Sequence, residues 1–387
     1  MHKISTKLVN GGNDAAMQQI NTINPPLHRA STVLFDSYSD MLKANCGQFE
    51  GIEYGTSGLA AQKAFESAMV ELDGSYGCKA FQSGISAIAM VLMAFTRQGD
   101  HILICDNVYG PTRHFCDGFL SKYGVKTDYL PSSAGADVID FIRDETKLIF
   151  MESPGSNTFE IQDVPAITSI CREKGVVSVI DNTWATPLYM NPFELGVDIS
   201  IQSATKYITG HSDILLGTVS TNERYWETFK KCCGLFEAFA PQEDCYQALR
   251  GLRTLAVRLK HHELAALDVA TWLSEHDMVD AVIHPALANH PQHELWKRDF
   301  KGSSGLFGFT LKEEFEDMDH SLFVDNLGLF GLGYSWGGYK SLITGGKFMR
   351  TNHFGYEGKT IFRLNIGMED VDDLKQDLSK SLQKLKK

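Results

Sequence analysis

Two charged side chains stand at points where apolar segments of the chain end. The apolar segment 199–202 is closely followed by Lys206, and the apolar segment 176–180 is directly followed by Asp181. Such segments are typical of buried parallel strands, and open α/β folds bind ligands at the carboxyl ends of those strands. A lysine that can form a Schiff base, together with an aspartate that can hold a pyridinium nitrogen, indicates pyridoxal phosphate. Either residue alone is more typical of an ordinary surface loop, so the prediction depends on the pair.

Two further features could hold the phosphate of this cofactor. Ser83-Gly84-Ile85 is a predicted strand-to-helix turn, and the free amides of a helix N-terminus bind anions. Ser203 and Thr205 occupy alternate positions before the lysine, so both hydroxyls can face the same side. For the glycine turn, a simple helix cap is an equally good interpretation.

Three side chains are candidates for the chemistry itself. Lys206 can act as a base only if its pKa lies below the ordinary lysine value of about 10.4. Tyr109 follows another strand end and could stack on the cofactor ring, or else cover the core as a loop aromatic. Arg363 lies within the apolar segment 361–366 and could clamp a carboxylate, or else form a structural salt bridge.

These residues need a sheet that brings them together. Apolar strand-like segments alternate with helix-like segments, which predicts an α/β fold whose parallel sheet is covered on both faces. The predicted strands are 101–105, 125–130, 148–151, 176–180 and 199–202, and the predicted helices are 59–72, 85–95, 112–123 and 164–174. After about residue 250, a long helix (255–276), two strands (306–311 and 361–366) and a terminal helix (370–384) indicate a second, smaller α/β domain.

The change of pattern along the chain predicts three parts. Residues 1–58 show little periodicity and are expected to form an arm. Residues 59–250 are expected to form the large cofactor-binding domain, and residues 251–387 the C-terminal domain. A chain of 387 residues is long enough to give each domain its own core.

Composition narrows the class of protein. A formal net charge of −12 and a pI near 5.5 argue against a general nucleic-acid or membrane-surface binder. Residues 1–8 lack the apolar core of a signal peptide, and the longest apolar run, 87–95, is too short to span a membrane. The eight cysteines include no CxxC pair, so they indicate reduced thiols in a cytoplasmic protein, with no metal site.

Six short segments carry a resemblance to a known family. They are Glu152-Ser153-Pro154-Gly155-Ser156, Asp181-Asn182-Thr183-Trp184-Ala185, Ser203-Ala204-Thr205-Lys206-Tyr207, Gly210-His211-Ser212-Asp213, Tyr334-Ser335-Trp336-Gly337-Gly338-Tyr339 and Arg363-Leu364-Asn365-Ile366-Gly367. With these segments the chain resembles, essentially from end to end, the cysteine and methionine metabolism family of pyridoxal-phosphate enzymes. The segments that contain Asp181 and Lys206 are highly specific for that family.

The resemblance implies a fold and an assembly. The fold would be that of aspartate aminotransferase (fold type I), with a mostly parallel seven-stranded sheet in the large domain and a smaller C-terminal α/β domain. The protein would be a homotetramer built as a dimer of dimers. Each site would be shared between two subunits, with the arm of residues 1–58 contacting the partner.

The resemblance also implies a role for each site residue. Lys206 would carry pyridoxal 5'-phosphate as a Schiff base, and Lys206 and Tyr109 would be the catalytic residues. Asp181 would pair with the ring nitrogen, and Tyr109 would stack on the ring. The phosphate would be held by Gly84, Ile85, Ser203, Thr205 and, from the partner subunit, Tyr54. The substrate carboxylate would bind Arg363 and the backbone of Ser335, with Trp336 lining the pocket.

The activity implied by the resemblance is β-elimination of L-cystathionine to homocysteine, pyruvate and ammonia, a step of methionine biosynthesis. The segment around Trp336 is similar to that of β-acting members of the family. Three kinds of alternative stay open: cystathionine γ-cleavage or γ-synthesis, methionine γ-cleavage or cysteine desulfhydration, and a cofactor-binding regulator without significant turnover. Pyruvate distinguishes β-cleavage from γ-cleavage, which gives 2-oxobutyrate.

One position departs from the family pattern. Members usually have Tyr-x-Arg on the partner arm, whereas this chain has Tyr54-Gly55-Thr56. Thr56 therefore stands where the family has a cation that contacts the phosphate. Weaker retention of the cofactor is expected from this change.

Overall fold

The computed structural model describes residues 3–12 and 22–386, in which strands and helices alternate as predicted. The strands are β1 (Gly77–Phe81), β2 (His101–Cys105), β3 (Lys126–Leu130), β4 (Thr146–Glu152), β5 (Val177–Asp181), β6 (Ile199–Gln202), β7 (Gly217–Thr221), β8 (Val279–Ile283), β9 (Leu306–Leu311), β10 (Gly331–Leu332), β11 (Leu342–Gly346) and β12 (Ile361–Asn365). The helices are α1 (Ile4–Asn10), α2 (Tyr38–Asn45), α3 (Ala60–Asp73), α4 (Gly84–Phe95), α5 (Gly110–Gly118), α6 (Val164–Lys174), α7 (Thr186–Tyr189), α8 (Glu223–Leu235), α9 (Gln242–Arg253), α10 (Leu255–Ser274), α11 (His293–Asp299), α12 (Glu313–Glu316), α13 (Ser321–Val324) and α14 (Val371–Leu382).

The larger sheet is mostly parallel, which confirms the predicted fold class. Within the described residues it has seven strands in the order β1-β7-β6-β5-β4-β2-β3. The pairs from β6 to β3 are parallel, whereas β7 runs antiparallel to both of its neighbours. Strand β7 was not predicted, because most of its residues, Gly217–Thr221, are small or polar although all five are buried. The strand is thus buried although its sequence shows no apolar pattern.

Helices cover both faces of this sheet. Along β2, Ile102 and Ile104 face one apolar cluster and Leu103 faces another, as the alternation of a strand requires. The first cluster includes α4, and the second includes α3, α6 and α9. The sheet is therefore buried on both faces, and its carboxyl edge is left to bind a ligand.

A smaller sheet follows in the C-terminal part. Its order is β10-β11-β12-β9-β8, and only the short pair β10 and β11 is parallel among the described strands. The long helix α10 and the terminal helix α14 pack on it around an apolar cluster with Phe309 and Phe362. This confirms the prediction of a second α/β unit, while the domain boundaries at 58 and 250 stay predictions.

Some element ends differ from the predictions. The helix predicted over 112–123 is α5 followed by a separate 3-10 turn, Leu120–Tyr123. Helix α14 begins after Asp370, whose side chain accepts from the amides of Asp372 and Asp373 as an N-cap. Helices α8 and α9 were missed.

Two further features of the fold concern the cysteines and the apolarity of the helices. All eight cysteines lie among the described residues and are free thiols. Within the described ranges, no helix combines the length and apolarity that crossing a membrane requires.

Candidate active site

The carboxyl ends of β4, β5 and β6 meet at one cavity of about 660 Å³. The predicted site residues that line it are Gly84, Ile85, Tyr109, Asp181, Ser203, Thr205, Lys206, Ser335, Trp336 and Arg363. Tyr54 is the exception among the predicted residues. It lies with Thr56 in a different groove and is 46% exposed.

Lys206 projects into this cavity from the turn after β6. Its Nζ donates a hydrogen bond to Ser335 Oγ at 2.6 Å and lies 5.3 Å from the centre of the Trp336 ring. Burial, together with the nearby charge of Arg363, lowers the pKa of Lys206 to about 8, and the carboxylate of Asp181 partly opposes this shift. The amine is therefore neutral far more often than an ordinary lysine near pH 7, which is what a base at this position needs.

Asp181 is the last residue of β5 and is buried, with 8% exposure. The backbone N of Thr183 donates to its Oδ1 at 3.0 Å, and the Thr183 hydroxyl donates to the same oxygen. Burial raises the pKa of Asp181, while both Thr183 bonds lower it. A cationic ring nitrogen beside this carboxylate would favour its ionised form, because opposite charges stabilise each other in a low dielectric.

A second acid, Glu152, ends β4 and lies beside Asp181 in the sheet register. Its Oε2 accepts a 2.6 Å hydrogen bond from the backbone N of Tyr109. Burial raises the pKa of Glu152 well above the ordinary value, and the charge of Asp181 adds to this effect. Glu152 thus fixes the start of α5, from which the Tyr109 side chain reaches the cavity.

The N-terminus of α4 forms one wall of the cavity. Ser83 caps it by accepting a 3.2 Å hydrogen bond from the backbone N of Ser86. At Gly84 an added Cβ would lie 2.8 Å from Ser203 Oγ, so the two residues approach too closely for any side chain. The Thr205 hydroxyl contacts the backbone of Leu216, accepting from its N at 2.8 Å and donating to its O at 3.2 Å. Backbone amides and a serine hydroxyl are thereby gathered at one small region, as anion binding requires.

Arg363 enters the cavity from β12 of the smaller sheet. Its Nη1 donates to Asn157 Oδ1 at 3.2 Å, and its Nη2 donates to the backbone O of Ser335 at 3.3 Å. Both partners are uncharged, so neither neutralises the guanidinium. Burial lowers the pKa of Arg363 to about 10, yet it stays positively charged at neutral pH and suits an incoming carboxylate.

The segment 334–340 closes the cavity beside Lys206. Ser335 and Gly337 both have left-handed backbone, with φ of 76° and 77°. At Gly337 an added Cβ would lie 3.0 Å from the backbone of Lys206 and Tyr207, so glycine permits the close approach. This segment therefore places the Ser335 hydroxyl against the amine.

The donor set fits the pyridoxal phosphate predicted from the sequence. A reactive amine of lowered pKa, a buried carboxylate at a strand end and an anion-binding helix N-terminus line the same cavity. The roles predicted for individual residues within this set stay predictions.

Three polar residues at or beside the site were not predicted as site residues, namely Glu152, Asn157 and Asn365, of which Asn365 accepts a hydrogen bond from the backbone N of Gly337. Glu152 carried a usable signal, since it ends an apolar strand just as Asp181 does. Asn157 contacts Arg363 from a distance of 206 positions in the chain, and no local pattern indicates such a contact.

Comparisons with known proteins agree with this geometry. The sequence model of the family described as Cys/Met metabolism PLP-dependent enzyme matches residues 5–383. The chain is 45% identical over 381 residues to a putative cystathionine beta-lyase of Rhizobium johnstonii, covering 97% of this chain and 95% of that one. It is 41% identical over 384 residues to cystathionine beta-lyase MetC of Escherichia coli, covering 97% of each. The crystal structure of metB from Corynebacterium glutamicum is similar with a TM-score of 0.88 and 29% identity, covering 100% of this chain and 99% of that one.

Proposed function

The chain belongs to the Cys/Met metabolism family of pyridoxal-phosphate-dependent enzymes, and on that basis we propose that it cleaves L-cystathionine by β-elimination. The products are homocysteine, pyruvate and ammonia, which makes the protein a carbon–sulfur lyase of methionine biosynthesis. The observation that carries this proposal is the meeting of the Lys206 amine, the Ser335 hydroxyl and the Arg363 guanidinium in one cavity. Relatives over nearly the full length that are named cystathionine beta-lyase support the substrate.

The cofactor of this family is pyridoxal phosphate, which when bound supplies an electron-poor ring that stabilises negative charge at the substrate Cα. We propose that Lys206 holds it covalently and that Asp181 contacts its ring nitrogen. Tyr109 would cover the ring. The phosphate would bind the N-terminus of α4 at Gly84 and Ile85, and also Ser203 and Thr205. For this, the hydroxyl of Thr205 would turn away from its contacts to Leu216.

The chain's own residues then perform three tasks. Arg363 binds the α-carboxylate of the substrate, together with the backbone at Ser335, and so fixes the orientation of Cα. Once the amino group of the substrate has taken its place on the cofactor, the freed amine of Lys206, whose pKa is lowered to about 8, removes the Cα proton in its neutral form. Ser335 Oγ holds Nζ in place through the 2.6 Å hydrogen bond. The side chain of Trp336 covers the amine and limits the access of water.

The assembly and the location are parts of the same proposal. Tyr54 lies outside the cavity of its own chain, which supports a role for it in the site of a partner subunit. The arm exposes large apolar side chains such as Ile23, Leu34 and Tyr38, which suits contact with that partner. We propose a homotetramer built as a dimer of dimers in the cytoplasm, without nucleic-acid or membrane partners.

Incubation with L-cystathionine, with free thiol and both keto acids measured together, tests the function. Release of thiol and pyruvate in equal amounts is expected, and Lys206→Ala should abolish both. Lys122→Ala, which removes an exposed lysine, is the matched control and should retain full activity. Formation of 2-oxobutyrate instead would show γ-cleavage, and cofactor absorbance without any thiol release would show a regulator. Normal pyruvate release by Lys206→Ala would contradict the proposal.

A further inference from the structure

Asn365 is buried directly beneath the segment 334–340 and is 1% exposed. Its Oδ1 accepts a 2.9 Å hydrogen bond from the backbone N of Gly337, and its Nδ2 donates a 2.9 Å hydrogen bond to the backbone O of Lys340. A single side chain therefore holds the segment at two points. Both bonds are buried or nearly so, and a buried backbone amide left without a partner is costly.

Asn365 and Arg363 lie two positions apart on β12, so their side chains leave the same face of the strand. Arg363 donates to the backbone O of Ser335, while Asn365 holds Gly337 and Lys340. The strand thus fixes the beginning, the middle and the end of the segment. Such repeated support is needed because Ser335 has a left-handed φ of 76°, a conformation that a residue other than glycine keeps only when its surroundings impose it.

We propose that Asn365 is a positioning residue of the reaction, which keeps the Ser335 hydroxyl at the amine of Lys206 by holding Gly337 and Lys340. This inference depends on the proposed function. Without Asn365, Gly337 would lose its buried acceptor, and Ser335 could relax from its left-handed conformation. The Ser335 hydroxyl would then leave Nζ, and water would reach the amine.

Asn365→Ala tests this role, with Asn365→Ser as a second variant that is too short to span both partners. Either change should lower kcat about 10-fold to 100-fold, because small misplacements of catalytic groups have effects of that size. KM should change less than kcat, since Arg363 keeps its contact to Asn157 although the backbone at Ser335 shifts.

Two readouts separate positioning from a general loss of stability. In the Ser335→Ala background, Asn365→Ala should add little, because both changes break the same arrangement and are therefore not additive. In the cofactor-free protein, the pKa of Lys206, measured by competitive labelling over a range of pH, should rise toward that of an exposed lysine.

Ser381→Ala is the matched control. Ser381 is also 1% exposed and donates to the backbone O of Phe323 in the same part of the chain, away from the cavity. It should lower stability while leaving kcat and the pKa of Lys206 unchanged. The inference is overturned if both Asn365 variants behave like Ser381→Ala, or if Asn365→Ala and Ser335→Ala are additive. The proposed function fails separately, namely if the wild-type protein releases no pyruvate.

Discussion

The pKa of Lys206 gives the most direct test of how the site is built. Burial lowers it to about 8, so at pH 7 roughly one amine in ten is neutral. A lysine at the ordinary value of about 10.4 would be neutral in only about one molecule in 2500. The site therefore increases the population of the reactive form roughly 200-fold.

Two substitutions should move this pKa in opposite directions. Arg363→Met removes a charge that lowers the pKa of Lys206, so the pKa should rise. Asp181→Asn removes a charge that raises it, so the pKa should fall. Each unit of change alters the neutral fraction at pH 7 up to about tenfold. The opposite directions of the two pKa shifts follow from the charges of the side chains, because a change in burial alone would not shift the pKa of Lys206 in opposite directions in the two variants.

Competitive labelling of the cofactor-free protein, with peptide mapping at Lys206, measures the effect. Exposed Lys122 in the same sample serves as the reference for the reagent. Arg298→Met, which removes an arginine of a surface ion pair with Asp163, should leave Lys206 unchanged. The reasoning is refuted if both site variants shift the pKa in the same direction, or if wild-type Lys206 titrates like an exposed lysine.

Three further predictions concern the cofactor and the stability of the fold. Gly84→Ala should weaken cofactor binding without unfolding the chain, because its Cβ would lie 2.8 Å from Ser203 Oγ; cofactor dissociation followed by absorbance measures this. Thr56→Arg should slow cofactor dissociation, since it supplies the cation that the arm lacks, and an unchanged or weaker hold would contradict the prediction. Asp73 is 1% exposed, and burial raises its pKa from 3.8 to about 6. The folded state therefore holds that proton more tightly, and stability falls as pH rises from about 4 to about 6. Asp73→Asn should stabilise the cofactor-free protein by up to about 3 kcal/mol at pH 7.5 and give no gain at pH 3.5, as measured by denaturant unfolding.

The sequence indicated that Asp181 and Lys206 lie at one edge of the larger sheet, and the two residues do line one cavity there. Asp181 ends β5 and Lys206 closely follows β6, and parallel strands bring their carboxyl ends to one edge. The type of fold follows from the same alternation of strands and helices. Those signals are local in the sequence, so they can be recognised without knowledge of the tertiary structure.

The supporting contacts could not be predicted in the same way. Ser335 meets Lys206 across 129 positions of the chain, and its left-handed backbone has no signature in a serine. Strand β7 is buried without being apolar, so periodicity gives no indication of it. Helix α14 begins one residue later than predicted, because the side chain of Asp370 accepts from the amides of Asp372 and Asp373 and so caps the helix instead of lying in it.

The hydrogen bond between Lys206 and Ser335 connects the parts of the chain that form the two sheets. In the chain, Lys206 follows β6 of the larger sheet, whereas Ser335 precedes β11 of the smaller one. The amine of Lys206 is therefore hydrogen-bonded to a residue of the segment that leads into the other sheet. We expect a displacement of one sheet relative to the other to move Nζ, and turnover to depend on the alignment of the two sheets even where each stays folded.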